Sequence, residues 1–222
     1  MAFELQLRPA PGEPPVEAWD PIATAGLAQR VVAACGEPDN RPAVIAVDGR
    51  SGAGKTTVAN TLQKQLVDAA VVHTDDVAWY ESFFGWDGLL RDHVLRPARQ
   101  GLPVSCRPPA WNRRARTGAI TVPVGAAFVV IEGCGAARRS LSAFLDCAIW
   151  VQSDHAEAER RGLLRDGGTA EAARLWREWA AQEVPFFAAD QPWTRADFII
   201  CGTPGALPPG ADLLFVEGQR SA

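Results

Sequence analysis

Eight consecutive residues constrain this chain more than any other stretch: Gly49-Arg50-Ser51-Gly52-Ala53-Gly54-Lys55-Thr56, followed by Thr57. They match G-x-x-x-x-G-K-[ST], a loop pattern that needs a strand before it and a helix after it. Ala43-Val44-Ile45-Ala46-Val47 reads as a buried strand, and Val58, Leu62, Leu66 and Val67 recur at helical spacing. Glycines let the backbone turn sharply and bring N–H groups close to phosphate oxygens, and the helix start adds partial positive charge. Lys55 can reach the β- and γ-phosphates, and the Thr56 hydroxyl can ligate Mg²⁺. Residues Gly49 to Thr57 therefore predict binding of a nucleoside triphosphate. They leave open whether its γ-phosphate goes to water, to a small molecule or nowhere.

The 222 residues suffice for one sizeable core and are too few for two full domains, so 1–222 are read as a single domain. The net charge of −4 argues against a nucleic-acid partner, which favours a basic surplus. Arginine does crowd one segment, from Arg91 through Arg107 to Arg116, while Lys55 and Lys64 are the only lysines. Cys35, Cys106, Cys134, Cys147 and Cys201 are an odd number without C-x-x-C spacing, which predicts free thiols and no zinc site. No apolar run reaches membrane-spanning length and no signal-peptide core is seen, so a cytoplasmic protein without a membrane partner is expected. The sequence leaves a homodimer open.

Residues 1–40 read as an extension packed on the core, with Phe3, Leu5 and Leu7 on a short edge strand and a helix from about Trp19 to Cys35. The second core strand, Ala70 to Thr74, runs into Asp75-Asp76. Carboxylates at a strand's C-terminal end lie where open α/β sheets bind ligands. One of them could take a proton from a substrate hydroxyl, or orient a water on Mg²⁺. His73 reads as a packed strand residue. Trp79, Tyr80, Phe83, Phe84 and Trp86 form either core or a stacking wall for an acceptor, and a proline-broken segment runs from Gly101 to Arg116. Asp76, Tyr80, Trp86 and Arg107 are the candidate acceptor contacts.

The third core strand, Ala127 to Ile131, ends in Glu132-Gly133, the arrangement of a Walker B acid that ligates Mg²⁺ or a water on it. Asp146 to Val151 supplies a fourth strand and Asp197 to Cys201 a fifth, with Leu213, Leu214 and Phe215 as a last edge strand. Between the fourth and fifth strands, Arg161 and Arg165 share a helix face in a lid near 154–170. Their guanidinium groups could neutralise charge on a phosphoryl group in flight. A second helix, Thr169 to about Phe187, has Leu175, Trp176, Trp179 and Phe186 on an apolar side.

With these motifs placed, the chain resembles the uridine kinase and phosphoribulokinase-like family of small-molecule kinases over roughly residues 43–202. It looks closest to the bacterial uridine kinase-like proteins of unassigned substrate. Those share an acidic pair followed by Gly85-Trp86-Asp87-Gly88-Leu89, an Arg165-Asp166-Gly167, Trp176 and Trp179 with a later Glu183, and Arg195-Ala196-Asp197. The resemblance implies an α/β P-loop NTPase fold, with a five-stranded parallel sheet in order 2-3-1-4-5, helices on both faces and a kinase-type lid. It implies ATP and Mg²⁺ as cofactors and a small-molecule hydroxyl as acceptor. Asp75 matches the family's base, Thr56 and Glu132 its metal-side residues, and Arg161 and Arg165 its lid arginines. Ala110 stands before Trp111 where the nearer relatives carry Asp, which argues against an ordinary ribonucleoside and keeps a non-catalytic ATP-binding protein as the alternative. A GTPase is excluded, since no Asn/Thr-Lys-x-Asp motif exists.

Overall fold

A computed structural model of the chain describes residues 2–205 and 207–218. The chain enters at a sheet edge, where β1 (Phe3–Glu4) pairs antiparallel with β2 (Ala18–Ile22). Helix α1 (Thr24–Cys35) follows. A single helix from Trp19 was expected, and the structure corrects it. Pro21 lacks an N–H and biases Asp20 to extended backbone, so a helix cannot start there. Trp19 is fully buried from the strand, while Leu27, Val31 and Cys35 form the buried stripe of α1 at i, i+4, i+8.

Strand β3 (Ala43–Gly49) is buried over its whole length and leads through the glycine-rich loop into α2 (Lys55–Gln65). Next come β4 (Ala69–His73) and α3 (Thr74–Ala78), whose first turn holds both Asp75 and Asp76. Helical backbone continues through α4 (Asp87–Leu90), a π-helical turn at Arg91–Leu95 and α5 (Arg96–Arg99). Pro97 cannot donate to the His93 carbonyl and its ring crowds it, and the wider turn relieves both. The proline-broken segment holds β5 (Val104–Cys106) and α6 (Pro109–Arg113), and β5 pairs with β6 (Ile120–Val122) in a separate two-stranded sheet. The chain returns to the core with β7 (Phe128–Glu132) and β8 (Cys147–Gln152). Helices α7 (His155–Arg165) and α8 (Ala170–Asp190) lead to β9 (Phe198–Cys201) and β10 (Leu213–Glu217).

The main sheet has eight strands in the order β1-β2-β10-β9-β8-β3-β7-β4. The expected count of five is therefore corrected. β4, β7, β3, β8 and β9 run parallel, and β10, β2 and β1 extend the sheet antiparallel from β9. Strand β10 lies between β9 and β2, not at an edge. Side chains of β3 alternate between two apolar layers. Val44 and Ala46 face the layer with Leu90, Val94 and Leu141, while Ala43, Ile45 and Val47 face Leu27, Val58 and Leu62 of α1 and α2. Full burial of such side chains contributes on the order of 2 kcal/mol each. A third layer, with Trp19, Trp150, Phe187 and Trp193, secures the N-terminal strands and the end of α8. No described helix is long and apolar enough to cross a membrane.

Candidate active site

The loop after β3 is built by close packing. Gly52 has φ +73, and a Cβ there would lie 2.0 Å from the Ala158 carbonyl oxygen of α7. Any side chain would push the helix off the loop. Lys55 is buried, and its Nζ donates to the Arg50 carbonyl at 2.9 Å and lies 3.3 Å from Cys134 Sγ. One residue before the loop, the fully buried Asp48 carboxylate accepts N–H groups of Gly49 at 2.7 Å and of Gly135 and Ala137 at 2.8 Å. It joins the start of the loop to the turn after β7. Burial pushes its pKa up to about 6 against these three donors. Sequence reasoning passed over Asp48, although a charge inside an otherwise apolar, buried strand is a readable signal.

At the end of β7, Glu132 stands beside the loop. Its Oε1 accepts from the Thr56 hydroxyl at 3.2 Å, and its Oε2 lies 2.7 Å from His73 Nδ1. Burial raises the Glu132 pKa, but the His73 hydrogen bond and the Lys55 charge outweigh it and hold the carboxyl below its ordinary value. The same hydrogen bond holds His73 above its ordinary value. His73 was expected to pack in the strand, and the structure corrects this: its side chain is 42% exposed. It sits at the last position of β4, in register with Glu132 of β7, where the sheet ends and the cleft begins.

A cavity of about 350 Å³ opens over these groups. Ser51, Lys55, Thr56 and Glu132 form its floor, and Asp75 faces it from the first turn of α3. Asp75 accepts no hydrogen bond and makes no ion pair among the described residues, and the charges of Arg165 and His73 act on it through space. Phe83, Trp176 and Trp179 supply apolar wall, and Arg165 lies at the cavity paired to Asp166 at 2.8 Å.

The other candidates lie elsewhere. Asp76 is paired with Arg116, whose guanidinium sits 3.7 Å over the Trp111 ring. Tyr80 is 59% exposed beneath the Arg114 guanidinium at 3.5 Å. Trp86 is buried, donates to the Phe83 carbonyl at 2.9 Å and packs under Arg138. Arg107 donates to the Arg116 carbonyl. None of these four lines the cavity. Arg161 is directed to the loop after β9, donating to the Gly202 carbonyl at 2.9 Å and Thr203 Oγ1 at 2.8 Å. Arg50 points away from the loop's phosphate side to a buried Glu13 at 2.9 Å and the Pro11 carbonyl. Ala110 is fully buried in α6 and outside the cavity.

Glu183 was noted in the sequence without a role. Its Oε1 accepts the Ser51 N–H at 2.7 Å and the Trp179 indole N–H at 2.9 Å, fastening α8 to the loop. Trp176, Trp179 and Glu183 are spaced i, i+3, i+7, one helix face, and that spacing is the signal for this wall.

No family model matches the chain, and a search of curated proteins finds no match. Among solved structures, the chain is similar to a candidate fructose transport system kinase from Silicibacter sp. TM1040. The TM-score is 0.51 at 21% identity, over 77% of this chain and 94% of that one. A possible uridine kinase from Bacillus stearothermophilus aligns with a TM-score of 0.48 at 21% identity, over 72% of this chain and 88% of that one. The likeness is one of fold: helices around a mostly parallel β-sheet.

The donor set beside the loop fits a small, hard cation. The Thr56 hydroxyl and the Glu132 carboxylate offer the oxygens that Mg²⁺ prefers, 3.2 Å apart on separate elements. Among the described residues no group of three or more His, Cys, Asp or Glu is arranged to hold a metal by itself. Most of the ion's ligands would therefore be water and phosphate, as is usual for Mg²⁺.

Proposed function

We propose that the chain is an ATP-dependent kinase that transfers the γ-phosphate to a hydroxyl of a small, nucleoside- or sugar-like molecule. The observation that carries this reading is the unpaired Asp75 carboxylate facing Lys55, Thr56 and Glu132 across one cavity. Phosphoryl transfer asks little covalent chemistry of a protein. It needs a phosphate cradle, a positioned acceptor and neutralised charge.

In this reading the N–H groups from Gly49 to Thr57 and the Lys55 ammonium hold the triphosphate. Thr56 and Glu132 would hold Mg²⁺, which when bound would neutralise phosphate charge. Asp75 accepts the proton of the acceptor hydroxyl as the oxygen attacks. Arg165, at the cavity, is placed to neutralise charge on the phosphoryl group. Arg161 serves the site differently, by fixing the Gly202-Thr203 loop after β9. The fold shared with a candidate fructose transport system kinase agrees with this class of chemistry.

The non-catalytic alternative rested on Ala110, and a buried Ala110 outside the cavity removes no group from it. The test is ADP release from ATP across a panel of hydroxylated metabolites, with Asp75→Ala beside the wild type. The reading expects turnover on at least one compound, a fall of about 10²–10⁴-fold in the variant, and ADP binding retained. Binding of nucleotide with no turnover on any compound would select the alternative.

A further inference from the structure

The cavity's charge and shape narrow the acceptor further, an inference that rests on the kinase reading. With phosphates on the loop, Lys55 faces them, and Thr56 and Glu132 face the metal side. The only other cation lining the cavity among the described residues is Arg165. The kinase reading commits it to the phosphoryl group in flight, and in the structure it pairs with its neighbour Asp166, Nε to Oδ1 at 2.8 Å and Nη2 to Oδ2 at 3.2 Å. Glu178, also at the cavity, holds Arg174 at 2.6 Å along its own helix. Asp75 has no such partner. Among the described residues, the carboxylate at the acceptor space is thus without an ion pair, and Arg165 and His73 act on it only through space. An incoming phosphate or carboxylate would meet it without a free cation to bind.

The walls point the same way. Trp176, Trp179 and Phe83 present apolar ring surface. Trp179 is fixed by its indole bond to Glu183 and by an edge contact with Phe83 at 5.3 Å between centroids. Rigid aromatic faces beside carboxylates suit a molecule with an apolar face and hydroxyl or ammonium donors.

We infer that the acceptor is a hydroxylated small molecule bearing neither phosphate nor carboxylate, uncharged or cationic, that lays an apolar face on Trp176 and Trp179. Substrates already phosphorylated are thereby excluded from the site.

Matched pairs test this by binding, without turnover. The protein is saturated with ADP and Mg²⁺, and tryptophan fluorescence is followed on adding ribose or ribose 5-phosphate, fructose or fructose 6-phosphate, glucosamine or glucosamine 6-phosphate, and uridine or uridine 5′-monophosphate. The expected result is binding of at least one unphosphorylated member about tenfold or more tighter than its phosphate. Asp75→Asn should narrow that preference, and Trp179→Phe should weaken the preferred ligand. Tighter binding by any phosphorylated member, or no binding by any unphosphorylated one at millimolar concentration, overturns the inference. Failure of ADP and Mg²⁺ to bind, measured first by calorimetry, would instead sink the kinase reading itself.

Discussion

Asp75 and Asp76 are neighbours in sequence with different fates, and so are Arg50 and Ser51. Adjacent residues on a helix turn point about 100° apart, so Asp75 reaches the cavity while Asp76 meets Arg116. Arg50 occupies a variable position of the loop pattern, and its side chain serves the fold. It is buried with Glu13, both side chains at 5% exposure or less. Removing one partner of such a pair leaves the other charge buried alone, at about 3–5 kcal/mol. Urea denaturation should therefore find Arg50→Ala severely destabilised, and Arg50→Met with Glu13→Gln should recover much of the loss. A single variant within 1 kcal/mol of the wild type would contradict this role. Neither fate is legible in the sequence, because the loop pattern specifies backbone and leaves the direction of side chains at its variable positions to packing. Lys55 and Thr56 were legible because the loop pattern fixes where they stand, and Glu132 because it ends an apolar strand.

At the scale of elements, α7 and α8 decide the shape of the cavity. Asp154 caps α7 by accepting the Glu157 N–H at 3.0 Å, and it also holds Arg8 of the N-terminal segment at 2.8 Å. The Arg8 hydrogen bonds and those from the backbone pull the Asp154 pKa down to about 2. A depressed carboxyl stabilises the fold above its unfolded value near 4 and loses that contribution as pH falls toward 2. Asp154→Ala should cost about 1 kcal/mol at pH 7, and denaturation curves should show the gap closing between pH 4 and pH 2. A gap independent of pH would contradict the pairing. Farther along, a Cβ on Gly162 of α7 would lie 2.0 Å from the Trp176 ring. Gly162→Ala should displace that wall, cost about 1–3 kcal/mol as overpacking and shift the tryptophan emission; unchanged emission would argue against the contact. Helix α8 was readable from its apolar spacing, but not the fact that its Trp face meets the loop. Strand β2 was missed because the helical spacing of Ile22, Leu27, Val31 and Val32 outweighed the break that Pro21 signals.

For the whole molecule, the parallel order β4-β7-β3-β8-β9 brings the ends of β3, β4 and β7 side by side, and with them the loop, Asp75 and Glu132. Segments distant in sequence become one site through topology, since open α/β sheets bind ligands at the C-terminal ends of their strands. The antiparallel strands β10, β2 and β1 lie on the far side of β9 and widen the sheet without entering the cavity. The acceptor side drew its expectations from the aromatic cluster after Asp76; of that cluster Phe83 lines the cavity, and Trp176 and Trp179 of α8 supply the rest of the aromatic wall. That wall joins residues about ninety positions apart in sequence, a distance over which local patterns carry no register. The central claim is that Asp75 opposes the loop across a shared cavity. A crystal structure with Mg²⁺ and a non-hydrolysable ATP analogue tests it most directly. The account predicts the terminal phosphates on the loop N–H groups and Lys55, with the Asp75 carboxylate facing the γ-phosphate across the acceptor space. A nucleotide seated elsewhere, or Asp75 turned away from the γ-phosphate into an ion pair, would contradict it.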